Sequence, residues 1–268
     1  MRITIIGAGA FGTALESILR ENGHEISFFD PYKFPNISLR SALENSDVIV
    51  FSAPSKTAKE TIKNLPEPAK KLPFICASKG FLTDEIFKNL ENFSVLSGPS
   101  FSKDILAKKP TTLTVTSHLT KDLFETTWLK FEISRDIRGV LLCGSLKNIY
   151  SIYSGAHNIK PATPDFREFL TESIKEFKKI LKTNNCNSNT AELACGFKDL
   201  ALTASSTNSR NYRLGQKLAK HGSAYDFSET TEGLSAIHSL VSSKLIVPEN
   251  LPILNETISL VNANILNL

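Results

Sequence analysis

A glycine-rich turn near the start of the chain constrains the fold more than any other feature. In MRITIIGAGAFG a β-branched run ends at Gly7, and Gly7, Gly9 and Gly12 fit the spacing G-x-G-x-x-G. The next residues, AFGTALESILRENG, place apolar side chains at helical spacing. A strand, a tight glycine turn and a helix N-terminus together form the usual cradle for a dinucleotide pyrophosphate. The alternative is a purely structural glycine turn, and the strand–turn–helix context favours dinucleotide binding.

Strand-like and helical segments alternate through the first half of the chain. The predicted strands after the first are HEISFFD, VIVFSAP, PFICAS, FSVLSGP, TTLTVTS and FEISRD, with a helix predicted over KDLFETTWLK. From residue 138 onward the segments are all helical, including one helix over NTAELACGFKDLALTA. The pattern predicts an α/β protein: a Rossmann-like doubly wound sheet over residues 1–137, followed by an all-helical domain over residues 138–268.

Asp30 closes the second predicted strand. A carboxylate there can accept hydrogen bonds from the adenosine ribose and would repel a 2′-phosphate, which favours NAD over NADP. Lys33 follows closely and would weaken that repulsion. The alternative is that Asp30 only caps the turn that begins at Pro31.

Lys147 lies in the middle of the apolar segment GVLLCGSLKNIYSIYSGAH. On a helix it shares a face with small residues, among them Cys143, Gly144 and Ser151, which leaves space beside it. A buried lysine is costly unless it is paired or has a chemical role. The alternative is an amine that reaches solvent along its own stem.

Composition excludes several classes of protein. The 268-residue chain has a formal net charge of +4 spread over alternating signs, which does not support nucleic-acid binding but suits a small anionic substrate. Its four cysteines form no CxxC pair, so neither a metal site nor a disulfide framework is expected. No apolar run approaches the ~20 residues of a membrane span, and the chain starts directly at the first strand. We expect a cytoplasmic protein without a membrane span.

Six motifs, in this order, resemble the NAD(P)-dependent glycerol-3-phosphate dehydrogenase family. They are GAGAFGTAL, SKG at 78–80, SGPSFSKDILAKKPT at 97–111, GSLKN at 144–148, FKDLALTASSTNSRN at 197–211 and TEGL at 231–234. The resemblance runs from residue 1 to about residue 260. Two positions depart from the family pattern: Lys198 replaces the glycine before Asp199, and Ser102 replaces an alanine.

The resemblance implies a role for each matching residue. Lys147 would be the catalytic lysine, positioned by Asp199. The implied substrate-binding residues are Lys79, Gly98, Ser100, Ser209, Arg210 and Asn211, the last three receiving the substrate phosphate. The implied cofactor-binding residues are Gly7, Gly9, Ala10, Phe11, Gly12, Asp30, Lys79, Ser102, Arg210 and Glu232, with Gly98 and Ser100 beside them.

The implied reaction interconverts dihydroxyacetone phosphate and sn-glycerol 3-phosphate with NAD or NADP, and supplies phospholipid synthesis. The chain is a short form of the family, and a homodimer is possible. Two alternatives stay open: a related two-domain hydroxy-acid dehydrogenase, and a dinucleotide-binding sensor without catalysis. Arg210 and Asn211 favour a phosphorylated substrate over a carboxylate, and retention of Lys147 and Asp199 disfavours the sensor.

Overall fold

The computed structural model describes residues 1–81, 83–221, 231–242 and 245–265. The chain forms two compact units. Unit 1 comprises Met1–Lys79 and Asp84–Ile137, and unit 2 comprises Gly80–Thr83 and Arg138–Leu268.

Unit 1 is built on a seven-stranded sheet. Its strands are β1 (Arg2–Ile6), β2 (Glu25–Phe29), β3 (Val48–Phe51), β4 (Pro73–Cys76), β5 (Asn92–Ser97), β6 (Thr111–Val115) and β7 (Leu129–Ile133). The strand order is β2-β1-β3-β4-β5-β6-β7, and all neighbours are parallel except β5 and β6. The chain places β2 on one side of β1 and β3 on the other, so the direction of strand addition reverses at β1. The turn after β1 therefore lies at the switch point where doubly wound sheets bind ligands. The predicted doubly wound sheet is confirmed.

Five α-helices connect these strands. They are α1 (Ala10–Glu21), α2 (Leu39–Leu43), α3 (Ala58–Lys63), α4 (Ser102–Leu106) and α5 (His118–Phe124), with 3₁₀ turns at Ser55–Thr57, Glu67–Lys71 and Glu85–Phe87. The helix predicted over KDLFETTWLK is wrong in its second half, because α5 ends at Phe124 and Leu129 starts β7. There Leu129 pairs with Thr111 in a parallel ladder, and this tertiary pairing overrides the local helical spacing.

The core of unit 1 forms between α1 and one face of the sheet. Helix α1 buries a stripe at helical spacing, Ala14, Leu15, Ile18 and Leu19. In the same cluster the central strands contribute Ile3, Ile5, Val48 and Val50. Burial of each large apolar side chain stabilises the unit by roughly 1.5–3 kcal/mol. This packing fixes the N-terminus of α1 at the end of β1.

The turn between β1 and α1 requires glycine at two positions for different reasons. Gly7 has a φ of +104°, which side-chain-bearing residues rarely adopt. At Gly12 a Cβ atom would lie 2.0 Å from the carbonyl oxygen of Gly7, so α1 could not approach the turn so closely with any other residue. Gly9 differs from both, because a Cβ atom there would have no neighbour within 4 Å.

Unit 2 is helical, as predicted. Its α-helices are α6 (Ile137–Ala156), α7 (Pro164–Thr183), α8 (Asp199–Ala204), α9 (Arg210–His221), α10 (Glu232–Ser242) and α11 (Pro252–Ile265). The single helix predicted over NTAELACGFKDLALTA is instead divided into a 3₁₀ turn at Ser188–Glu192, a π-helical turn at Ala194–Lys198, and α8. Single π turns inside helical segments occur often at functional sites.

Two glycines bring α9 directly onto α6. A Cβ atom at Gly155 of α6 would lie 2.0 Å from the Tyr212 carbonyl oxygen of α9. Reciprocally, a Cβ atom at Gly215 of α9 would lie 2.0 Å from the Ile152 carbonyl oxygen of α6. Backbone therefore packs on backbone, and this contact fixes the N-terminus of α9 relative to the helix that carries Lys147.

Within the described ranges, no helix combines the length and the hydrophobicity that crossing a membrane requires.

Replacement of Gly12 tests the packing of the glycine turn. Gly12→Ala is expected to lower the free energy of unfolding of unit 1 by about 1–3 kcal/mol or more, because the added methyl group overlaps the Gly7 carbonyl. The matched control is Gly9→Ala, which adds the same methyl group in open space and should leave stability unchanged. Denaturant unfolding of both variants measures the difference. Equal losses would contradict this account of the turn.

Candidate active site

Lys147 is buried in the middle of α6 and is paired. Only 6% of its side chain is exposed, so the structure excludes an amine that reaches solvent along its stem. Its Nζ donates to Oδ1 of Asp199 at 3.2 Å and to Oγ1 of Thr203 at 3.0 Å. Asp199 is likewise buried, with 1% of its side chain exposed. A buried, hydrogen-bonded ion pair is weak evidence for stability, so its occurrence here makes these residues a candidate functional site.

Helix α8 supplies two partners of the lysine. Asp199 and Thr203 lie four residues apart, on one face of the helix, and Thr203 Oγ1 is also 3.4 Å from Asp199 Oδ1. Thr203 was not predicted as a site residue, although its spacing from Asp199 in DLALT was a usable signal. The three side chains form a compact centre, which we call the lysine centre: Lys147, Asp199 and Thr203.

Lys198, the departure from the family pattern, does not share the environment of Asp199. Its side chain is exposed whereas Asp199 is buried, so successive residues point in different directions. Its φ of −68° and ψ of −38° are ordinary right-handed helical values. This backbone position therefore does not require glycine.

Asn148, the residue after Lys147, joins three helices. It is 1% exposed, and its Nδ2 donates to Oε2 of Glu232 on α10 at 3.1 Å. Asn211 of α9 donates from Nδ2 to Oδ1 of Asn148 at 2.9 Å, and its own Oδ1 accepts from the Gly233 amide at 3.0 Å. The network therefore brings two predicted site residues, Asn211 and Glu232, to Asn148, the residue next to Lys147 in the sequence. Asn148 had been quoted only as part of a motif, because contacts between distant helices leave no local signal.

Ser209 and Arg210 lie at the N-terminus of α9. Ser209 is buried, and its Oγ accepts from the Tyr212 amide at 3.2 Å, so it caps the helix. Arg210 is exposed, and within the described ranges its guanidinium makes no hydrogen bond or ion pair. A helix N-terminus with an available guanidinium is suited to an anion, because the helix dipole and the cation act in the same sense.

In unit 1 the glycine turn leaves room for a ligand. Gly9 and Ala10 are exposed, and Gly9 precedes α1 with no side chain capping the helix. The first turn of α1 contains no acidic residue that would repel an anion. The open space beside Gly9 and the free helix N-terminus fit a pyrophosphate. Phe11, one residue further, is half-buried against the core.

Asp30 caps the turn that follows β2 and also holds the glycine turn. Its Oδ1 accepts from the amides of Tyr32 and Lys33, and its Oδ2 accepts from the Ala8 amide at 2.9 Å. The Lys33 ammonium donates to the Ala8 carbonyl oxygen. The turn-capping alternative for Asp30 is therefore present in the structure. It is compatible with a ribose contact, because a carboxylate accepts up to about four hydrogen bonds.

A second group of predicted residues meets at the end of β5. Lys79 Nζ donates to the Gly98 carbonyl oxygen at 2.7 Å and lies 3.5 Å from Ser100 Oγ. Ser100 Oγ in turn donates to the Gly98 carbonyl at 2.9 Å, and Gly98 has a φ of +137°. Ser102 is half-buried at the first residue of α4. The structure thus brings together Lys79, Gly98 and Ser100 within unit 1.

Among the residues that the structure describes, no three His, Cys, Asp or Glu side chains are grouped as a metal ion would require.

The sequence matches two family models. Residues 34–122 match the NAD-dependent glycerol-3-phosphate dehydrogenase N-terminus, and residues 136–266 match the C-terminus of the same family. The chain is 31% identical over 283 residues to glycerol-3-phosphate dehydrogenase (NAD(P)+) of Campylobacter jejuni, covering 97% of this chain and 94% of that protein. A similar enzyme of Staphylococcus saprophyticus is 28% identical, covering 82% of this chain and 80% of the other.

Solved structures of similar fold carry the same name. Glycerol-3-phosphate dehydrogenase of Coxiella burnetii superposes with a TM-score of 0.82 at 23% identity, covering 100% of this chain and 95% of that one. The Saccharomyces cerevisiae enzyme gives a TM-score of 0.74 at 16% identity, covering 100% and 99%. These structures establish the shared fold, and the Campylobacter relative establishes the family. The chain is a member of the NAD(P)-dependent glycerol-3-phosphate dehydrogenase family.

Proposed function

We propose that this protein interconverts dihydroxyacetone phosphate and sn-glycerol 3-phosphate, using NADH or NADPH. The observation that carries the proposal is the lysine centre, a buried ammonium held by Asp199 and Thr203. Membership of the family and the names of the relatives support this substrate. The product would supply the glycerol backbone for phospholipid synthesis.

Lys147 is the proton donor of the proposed reaction. Reduction of a ketone develops negative charge on the carbonyl oxygen, which a nearby ammonium both stabilises and protonates. Asp199 and Thr203 each accept a hydrogen bond from this ammonium. They fix its direction, and we assign its proton transfer to the carbonyl oxygen of the substrate.

The substrate phosphate is assigned to the N-terminus of α9. Arg210 offers a planar fork of donors at this helix end, and Ser209 precedes it. Asn211 is held by Asn148 and by the Gly233 amide, which leaves one of its Nδ2 hydrogens for a ligand. Because Asn148 follows Lys147 in α6, the same helix sets the distance between the phosphate and the proton donor.

The dinucleotide is assigned to unit 1. When bound, the reduced nicotinamide supplies the hydride. Gly9 and the N-terminus of α1 would hold the pyrophosphate, and Lys79 and Ser102 of the same unit are assigned to the same ligand. The Asp30 carboxylate favours NAD, whereas the nearby Lys33 ammonium moderates its repulsion of a 2′-phosphate, so use of both dinucleotides is expected.

The proposed reaction balances with a hydride from the dinucleotide and one proton taken up from solvent. The carbonyl carbon gains a hydride and the carbonyl oxygen gains a proton from Lys147, so the C=O double bond becomes a C–H and an O–H bond. The lysine then recovers its proton from solvent. In the reverse direction the neutral amine accepts the hydroxyl proton.

Removal of the lysine tests the proton donor. Lys147→Ala is expected to lower kcat by about 10²- to 10⁴-fold, the usual contribution of general acid catalysis, while dinucleotide affinity stays unchanged. The control is Lys198→Ala, since this exposed lysine directly precedes Asp199 in the sequence and should retain turnover. Steady-state kinetics and dinucleotide titration measure both. Because the variant leaves Asp199 buried without its cation, a cooperative thermal unfolding transition of the variant must show that unit 2 is folded. A kcat near the wild-type value would remove Lys147 from the mechanism.

Removal of Arg210 tests the phosphate site. Arg210→Ala is expected to raise KM for dihydroxyacetone phosphate by about 10- to 100-fold, the value of one or two charge-assisted hydrogen bonds. Activity with unphosphorylated dihydroxyacetone should change little. The matched control is Arg213→Ala on the same helix, because Arg213 donates to the Thr207 carbonyl oxygen and is not assigned to substrate. An unchanged KM in Arg210→Ala would place the phosphate elsewhere.

A further inference from the structure

Unit 2 buries a second carboxylate, which has no role in the reaction described above. Glu176 of α7 is 3% exposed. Its Oε1 accepts from the Ile253 amide at 2.9 Å, and its Oε2 accepts from the Leu254 amide at 3.2 Å and from the Tyr150 hydroxyl at 2.5 Å. Within the described ranges no ammonium or guanidinium lies at ion-pair distance from it. The charge is therefore compensated by three hydrogen-bond donors and by the N-terminal end of a helix dipole.

Two of these donors belong to the first turn of α11. That helix begins at Pro252, which has no amide hydrogen, and the preceding residue, Leu251, has no side-chain acceptor to cap it. Glu176 therefore caps α11 from another helix. The third donor, Tyr150, lies on α6, one turn beyond Lys147. One carboxylate thus ties together α6, α7 and α11.

Tyr150 is held in a defined orientation. It is fully buried, and its ring packs edge-on against Phe177, with centroids 4.9 Å apart and planes at 82°. Burial raises the pKa of Tyr150 well above its ordinary value, and the Glu176 charge raises it further. The hydroxyl therefore stays protonated and remains a donor to Glu176 throughout the working pH range.

This contact matters for α6 because that helix is buried on nearly all sides. Residues from Gly139 to Ile152 are all buried, including both apolar and polar ones. The backbone contact at Gly155 restrains the C-terminal part of α6, about two turns beyond Lys147. Nearer to the lysine the apolar packing is not directional, so it opposes a small rotation of the helix about its axis less strictly. A hydrogen bond is directional and opposes the rotation. The Tyr150–Glu176 bond acts in the turn next to Lys147.

We propose that Glu176 is a positioning residue for Lys147. Through the Tyr150 hydroxyl it holds the turn of α6 from which the Lys147 ammonium reaches Asp199 and Thr203. Because Glu176 also accepts hydrogen bonds from α11, the packing of α11 against α7 helps to support the lysine centre. This inference rests on the proposed function, in which Lys147 is the proton donor.

The experiment compares three variants of the 268-residue chain with dihydroxyacetone phosphate and NADH. Tyr150→Phe removes only the hydroxyl that connects Glu176 to α6. Glu176→Gln removes the charge and leaves too few acceptors for three donors. The matched control is Asn184→Ala, because Asn184 also fastens the C-terminal segment to α7, through two hydrogen bonds to the Ile246 backbone, but none of its hydrogen bonds reaches α6.

Tyr150→Phe and Glu176→Gln are expected to lower kcat by about 10-fold or more, since small misplacements of a catalytic group are costly. They should also shift the pH profile of kcat, while KM and dinucleotide affinity change little. Asn184→Ala should lower the thermal unfolding temperature with kcat and the pH profile unchanged. A positioning role requires that kcat falls in Tyr150→Phe and Glu176→Gln but not in Asn184→Ala, which loses only stability.

Two results would overturn the inference. One is a Tyr150→Phe enzyme with the wild-type kcat and pH profile. The other is a loss of kcat in all three variants that follows their loss of thermal stability, which would make Glu176 a structural residue only. Lys147→Ala, assayed in parallel, separates this from a failure of the proposed function. Turnover that survives Lys147→Ala refutes the proton donor itself, and with it the inference.

Discussion

The buried ion pair between Lys147 and Asp199 is the interaction on which the function proposed for unit 2 depends. Two charges removed from water cost several kcal/mol each, and their attraction offsets this cost only in good geometry. The structure supplies that geometry with Thr203 as a second acceptor for the ammonium. Apolar residues of similar volume would stabilise the fold at least as well. The pair is therefore best explained by the chemistry of the ammonium.

Close backbone packing sets the positions of the groups around this pair. Gly155 and Gly215 let α6 and α9 touch through their backbones. Gly233 lets α10 approach closely too, because a Cβ atom at this position would lie 2.7 Å from the Asn148 carbonyl oxygen and 2.8 Å from Asn211 Oδ1. In unit 1 the absence of a side chain at Gly12 allows the same kind of close contact, with the Gly7 carbonyl oxygen. Such contacts leave little freedom for adjustment, because any added methyl group meets backbone rather than a movable side chain. Both units thus place their binding groups by steric constraint.

The fold could be predicted largely from local sequence, and the site only in part. The glycine turn was predicted because its spacing, strand and helix lie within a few residues. Lys147 and Asp199 were assigned by resemblance to a family, because the sequence around either residue contains no signal that the two side chains form an ion pair. Thr203 and Asn148 were missed, because their roles arise from contacts between separate helices. The same limit explains the strand at Leu129, where tertiary pairing overrode the local helical spacing.

The most direct test of the central claim is the fate of the transferred hydrogen. The purified protein would be incubated with dihydroxyacetone phosphate and NADH carrying deuterium at the reactive C4 position, and the product analysed by mass spectrometry and NMR. The account predicts sn-glycerol 3-phosphate with deuterium at C2, formed in proportion to the NADH consumed. Oxidation of neither NADH nor NADPH, despite measurable dinucleotide binding, would contradict it. So would a product without deuterium at C2.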